Sequence, residues 1–224
     1  MKPTKISFSR VIREATVIFA SVFIAIWLES SWQNYKTVTA ARVSLGQIFS
    51  ELQADRAFLE EVQEDQKALL QKNEKLLSWL ANPMSLPNDL VHETLEEFGP
   101  ALTIWPRRAA WTTMVASGQL GLLNDRDLVR SLGNYYEYRV SRLVYNGEDY
   151  DHAILELERE AIPKIWDFEH KKLLTSEHER IAIFRGKIHR VNIWTRWYLG
   201  YVEEHSVELD ALIHDVEQHL KSHG

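Results

Sequence analysis

Cysteine is absent from the chain, and that absence removes a disulfide framework, a thiolate metal site and a cysteine nucleophile. It leaves the redox compartment open, because a cysteine-free chain is stable in either. Proline and glycine are scarce, 6 and 9 in 224 residues. So few breakers favour long helices over many short strands. No alternating strand pattern of useful length is present, nor an internal repeat, nor a low-complexity tract. G-x-S-x-G, P-loop, G-x-G-x-x-G and H-E-x-x-H motifs are missing too. An enzyme therefore has no motif behind it. What remains is 45% hydrophobic and 26% charged, near the globular average, which excludes collagen-like and wholly disordered chains.

The charge that is present is unevenly placed. Residues 1–14 carry Lys2, Lys5, Arg10 and Arg13 against Glu14, a net of +3, which leaves −9 on the rest of a chain whose formal net charge is −6. A body at −9 is a poor partner for nucleic acid, which needs Lys and Arg to displace counterions from phosphate. The basic end instead sits directly before an apolar run, as in membrane-targeted chains.

That run, Ala15 to Leu28, reads ATVIFASVFIAIWL without a charge. Three readings compete for it. As a transmembrane helix, Val11 to Trp32 spans about 33 Å, enough for the roughly 30 Å hydrocarbon core. Arg10 and Arg13 then snorkel toward the cytoplasm, and Trp27 and Trp32 anchor the far interface. As a cleaved signal peptide, the run has the right length, but Leu28-Glu29-Ser30-Ser31-Trp32 offers no A-x-A cleavage site. As a buried core helix, it is apolar on all faces, unlike the striped helices that follow. The uncleaved anchor ranks first, with the partner a lipid bilayer and the basic end inside.

From Ser30 to Ala81 the segment is rich in good helix formers, with no proline and only Gly46. Leu45, Leu52, Leu59, Gln66, Asn73 and Leu80 repeat every seven residues, and Ile48, Asp55, Val62, Leu69 and Leu76 form a second row. This is either a self-associating stalk with Gln66 and Asn73 setting register, or a bundle helix packed on its own chain. Asn82-Pro83 ends it. Residues 81–106 hold Pro83, Pro87, Pro100 and Pro106 and read as a connector, with a short helix from Asn88 to Phe98 stopped by Gly99-Pro100. A further short helix over Ala109 to Ser117 ends at Gly118. Asn124 then caps a helix that carries Asp125 and Asp127 in its first turn and runs to about Ala161, with Gly133 and Gly147 as bend points. Ser176-x-x-Glu179 is a capping box for a last helix that reaches about Lys221.

Two segments resemble an uncharacterised family of bacterial proteins. REATVIFASVFIAIWLESSWQ places Glu14 before the apolar helix, and Glu29 and Trp32 after it. AWTTMVASGQLGLLNDRDLVRSLGNYYEYR carries a short helix, the Ser117-Gly118 turn, an apolar step, an Asp-capped helix and the pair Tyr135-Tyr136. The resemblance covers roughly the first 140 residues. It implies a single-pass inner-membrane anchor and a helical soluble part, and no activity. Phe19-Ala20-Ser21 stands where glycine usually interrupts the apolar helix of that family.

Nine histidines invite a metal reading. Asp89/His92, Asp149/His152 and Asp167/His170 are three apart, and Glu148/His152, Asp210/His214, Asp215/His219 and His219/His223 are four apart. No histidine has Glu three residues before it, as di-iron bundles require, and solvated helix faces account for such pairs. No metal or cofactor is expected. The richest composition lies on the last two helices. Tyr135, Tyr136, Tyr138, Arg139, Arg142 and Tyr145 sit on one, and Arg185, Arg190, Trp194, Arg196, Trp197, Tyr198 and Tyr201 on the other. Tyr135, Arg139, Arg190, Trp194, Trp197 and Tyr201 are either an aromatic pocket for an anionic ligand, or a core seam with arginines at its rim. The seam is favoured. It makes Trp194, Trp197, Tyr198 and Tyr201 one stripe and puts the cost of Trp197→Ala at about 3–5 kcal/mol.

The expectation is an all-α chain, an N-terminal transmembrane helix followed by an elongated helical bundle. Residues 1–14 form a cytoplasmic basic end, 15–32 the anchor, 33–81 a long helix or stalk, and 82–224 the bundle body outside the cytoplasm. The expected role is a membrane-anchored, non-enzymatic scaffold or interaction subunit whose partner is another membrane protein or itself. The alternative is a sensory domain for a small anion, which would need a partner to pass a signal on.

Overall fold

A computed structural model describes residues 8–82, 87–96, 98 and 103–222, with side chains from Thr16 onward. Lys2 and Lys5, the side chains of Arg10 and Arg13, and Pro83, Gly99 and Pro100 lie outside the described residues. Helices dominate. Helix α1 (Phe8–Ala81) is one unbroken element of 74 residues, about 110 Å long. The apolar run and the heptad-patterned stretch are thus the same rod, with no joint between them.

Helix α6 (His178–Ser222) is its main partner. The two run antiparallel: Arg42 donates to the Leu220 carbonyl at 3.1 Å, Arg56 to Asp210 at 2.7 Å, Gln63 to Ser206 at 2.8 Å and Asn73 to Asn192 at 2.6 Å. The seven-residue stripe is what α1 buries there. Leu45, Ile48, Leu52, Leu59, Val62, Leu76 and Leu80 are buried, and α6 answers with Ile188, Tyr198, Val202, Leu209 and Val216. Of the two readings of that stripe, packing within the chain is the observed one.

The three polar interruptions meet different fates. Asp55 accepts from the Arg107 backbone N at 2.9 Å and from its guanidinium at 2.6 Å. Asn73 pairs with Asn192, while the fully buried Gln66 amide has no hydrogen-bond partner among the described residues. A polar pair in an apolar interface penalises slipped registers more than it adds stability.

Between these long helices lie α2 (Asn88–Glu96), α3 (Ala109–Ala116), α4 (Arg126–Gly133) and α5 (Val140–Glu156). Gly118, at φ 69, makes the left-handed turn after α3. The cap of α4 is Asp125, which accepts from Leu128 N at 3.0 Å, and not Asn124. Asn124 takes φ 53 instead, a conformation asparagine tolerates, and so makes the turn. Helix continues from α4 through a π-turn at Asn134–Arg139, then α5, then a second π-turn at Leu157–Ala161. The expected end at Ala161 is therefore found, and the irregularity sits at the π-turns. A two-residue hairpin, β1 (Trp166–Asp167) with β2 (Lys172–Leu173), follows. At the start of α6, Glu177 N donates to Thr175 Oγ1 at 3.1 Å, so the side chain engaging the backbone there is not that of Ser176.

Candidate functional site

The first candidate is the free part of α1. Residues 16–40 are exposed throughout, including Phe19 at 77%, Phe23 at 73% and Trp27 at 62%. This is the one helix among the described residues long and apolar enough to cross a membrane. Some of its polar side chains bond along its own axis: Ser21 donates to the Val17 carbonyl at 2.8 Å, and Gln33 to Glu29 at 2.8 Å. A hydrocarbon surrounding would tolerate that arrangement of the backbone and Ser21. Beyond the run, Trp32 stacks on Tyr35 at 6.1 Å, and the Lys36 ammonium lies 5.1 Å from the Trp32 ring. Aromatic and cationic residues so grouped suit an interface.

The second candidate is the body's surface between α5 and α6, where the residues of the alternative pocket reading fall. They do not converge on one pocket. Tyr135 is buried, with its ring 5.3 Å from His205 and edge-on to Tyr136 at 5.0 Å. Arg139 is spent on Glu208 at 2.5 Å, beside a cleft of about 250 Å³ also lined by Ser131, Asn134 and Asp215. Arg190 and Trp194 lie in a different cleft, about 320 Å³, with Asp149, His152, Glu156 and Lys187. Lys187 pairs with Glu156 at 2.9 Å, which holds that carboxyl below its usual range.

The aromatic stripe also divides. Tyr198 turns inward, fully buried, and stacks on Tyr150 at 5.2 Å. Trp197 is 46% exposed, edge-on to Trp194 at 5.4 Å and stacked on Tyr201 at 6.2 Å. Trp197 is accordingly a surface ring and not part of a core seam. Adjacent positions on a helix differ by about 100°, so a stripe four residues wide reaches from core to solvent.

Carboxylates that composition alone hides build the strap over residues 103–110. Asp151 accepts from Thr103 N at 3.2 Å and from the Thr103 hydroxyl. Asp55 holds Arg107, and Glu51 accepts from Ala110 N at 3.1 Å, capping α3 from a neighbouring helix. Burial pushes the Asp55 carboxyl up, against the opposing pull of Arg107. Gly147 lets the strap sit down: a Cβ there would lie 2.7 Å from the Tyr198 hydroxyl and 3.2 Å from Thr103 Cα. Sequence spacing gave no sign of this strap, since each partner lies about 50 residues away.

Other titratable groups are buried in the bundle. His205 is pushed down to about 4 by burial and by the nearby Arg139 charge. Burial raises Tyr150 to about 12 and moves the Tyr135 and Tyr136 hydroxyls up as well. Asp167 and His170 do meet, at 2.9 Å, in the hairpin turn. Among the described residues no group of three or more His, Asp or Glu side chains is arranged to hold a metal ion.

A model of a family of unknown function, DUF6090, matches residues 14–173. The match begins at Glu14, ahead of the apolar run, and stops in β2, before α6. No curated protein matches the chain, and no solved structure does.

Proposed function

The chain belongs to the DUF6090 family, whose description assigns no activity, and from its geometry we propose a membrane-anchored, non-enzymatic scaffold or interaction subunit. The observation that carries this is the continuity of α1, whose exposed apolar stretch leads without a joint into the buried stripe of the body. Leaving Phe19, Phe23, Ile24 and Trp27 in water forfeits roughly 1.5–3 kcal/mol for each such side chain, a loss that a bilayer removes. On this reading the net +3 of residues 1–14 favours the cytoplasm for the short end, with the body on the far side of a bacterial inner membrane. Residues 33–40 then form a helical spacer of about 12 Å between lipid and body.

The test is fractionation followed by protease. The chain is expected to stay in membranes through high-salt and carbonate washing, and protease added outside the inner membrane is expected to digest the body. A soluble product starting near Ser31 would overturn the anchor, and a protected body would reverse the orientation.

A second reading rests on the cleft holding Arg190, His152 and Trp194. There the Arg190 guanidinium lies beside Trp194 and its charge acts on Glu156, so a small carboxylate or phosphate that displaced that side chain would find a cation and a ring face. Thermal melts of the detergent-solubilised protein with a panel of such anions test it. A shift that disappears in Arg190→Ala supports the cleft, and no shift with any anion removes it.

A further inference from the structure

Outside the anchor, the surface between α5 and α6 leaves several rings in water: Tyr138 is 49% exposed, Tyr145 63% and Trp197 46%. Aromatic residues and arginine are the types enriched where proteins meet proteins, and their exposure together marks a contact face. Arg142 lies between Tyr138 and the half-buried Tyr201, its guanidinium 5.7 Å from the first ring and 5.8 Å from the second, and it donates to the Tyr138 hydroxyl at 3.0 Å. It makes no ion pair among the described residues. The result is a cation fixed in place by ring faces, on a body that is strongly acidic overall.

The complementary chemistry lies on α1. Glu61, Glu64 and Asp65 are exposed within about one turn of each other and make no ion pair among the described residues. Phe58, one turn below, is 40% exposed. Like charges so spaced repel one another on an isolated helix, and a facing cation relieves them.

These two faces stand at the same height. Gln63 pairs with Ser206, Lys67 with Glu203 and Glu74 with Arg196, so Tyr201 on α6 lies level with α1 between Lys67 and Glu74. Arg142 stands beside Tyr201, and Tyr138 lies one turn toward the level of Arg139 and its partner Glu208. The acidic cluster begins within about one turn of that level.

We propose that the Tyr138–Arg142–Tyr201 face of one copy of this chain docks on the Glu61–Glu64–Asp65 face of a neighbouring copy in the same membrane. This rests on the anchored reading above. Copies held by the same N-terminal helix stand parallel, so only surfaces of equal height meet. Unlike faces in contact make a heterologous interface, which closes into a ring or a pair, or extends as a row, according to the rotation between copies.

The absence of native cysteine makes the test clean. Two full-length chains with different tags, one carrying Tyr138→Cys and one Glu61→Cys, are co-expressed, and their membranes are oxidised mildly. A disulfide-linked band bearing both tags is expected, at several-fold higher yield than either single-cysteine chain gives alone. Adding Arg142→Glu to the first chain is expected to reduce that band several-fold, and adding Asp65→Lys to the second to restore it. Anchored chains with no mixed band, or homodimers as abundant as the mixed species, overturn the contact. Loss of both tags from the carbonate-washed membranes overturns the anchor itself, which separates the two failures.

Discussion

His205 is buried to 3% exposure, its Nε2 has no hydrogen-bond partner among the described residues, and the Tyr135 ring packs against it. Its folded pKa, about 4, lies below the unfolded 6.5. The unfolded chain therefore takes up the proton first as pH falls, and the stabilisation from a neutral His205 is full above pH 6.5 and lost down to about pH 4. The loss amounts to about 3 kcal/mol at most, at roughly 1.4 kcal/mol per pH unit. Asp55, whose carboxyl burial pushes up, acts in the opposite sense, so the two do not reinforce. Urea midpoints of the detergent-solubilised protein at pH 7 and pH 4.5 are expected to differ clearly in the wild type and much less in His205→Leu. A second contrast lies on α6. Tyr198→Ala is expected to cost about 3–5 kcal/mol, because the ring is buried against Tyr150. Trp197→Ala, half in solvent, is expected to cost roughly 1 kcal/mol, the ordinary scale of a point substitution. Thermal melts of the two variants side by side check the ordering.

At the scale of elements, the pairing of α1 with α6 decides stability. Leu59 is 1% exposed on the packed stripe. Leu59→Asp buries an unpaired charge and is expected to unfold the body, at about 4 kcal/mol or more, and not to release folded monomers. Loss of helical circular dichroism together with new protease sensitivity is the measurement. The seven-residue spacing of Leu45, Leu52 and Leu59 made this stripe legible in the sequence, as did the apolar run, the Gly118 turn and the end of helix at Ala161. Period alone says that a face is buried, and not against which chain, so the choice between stalk and bundle waited on α6. The strap was hidden for a related reason. Asp55, Glu51 and Asp151 read as ordinary solvated acids until the fold brings Arg107, Ala110 and Thr103 to them. The favoured core seam failed on angle: Trp197 and Tyr198 are neighbours in sequence but point to solvent and core respectively.

On the scale of the whole molecule, the first helix is held by the last. Arg42 reaches Leu220, 178 positions away, and Arg56 reaches Asp210, 154 positions away. Contacts of such long range close late in folding. As the chain is made, the apolar end of α1 emerges first and the stripe from Leu45 to Leu80 follows, but α6 starts only at His178. About 100 further residues must be added before that stripe meets its partner, which at roughly 5–20 residues per second takes about 5–20 seconds. During that interval a leucine-rich face stands open, with no α6 to cover it. A chain stopped after Leu173 never passes out of this state. It is expected to be cleared by proteases far faster than the full chain, and pulse–chase labelling of the two would show the difference.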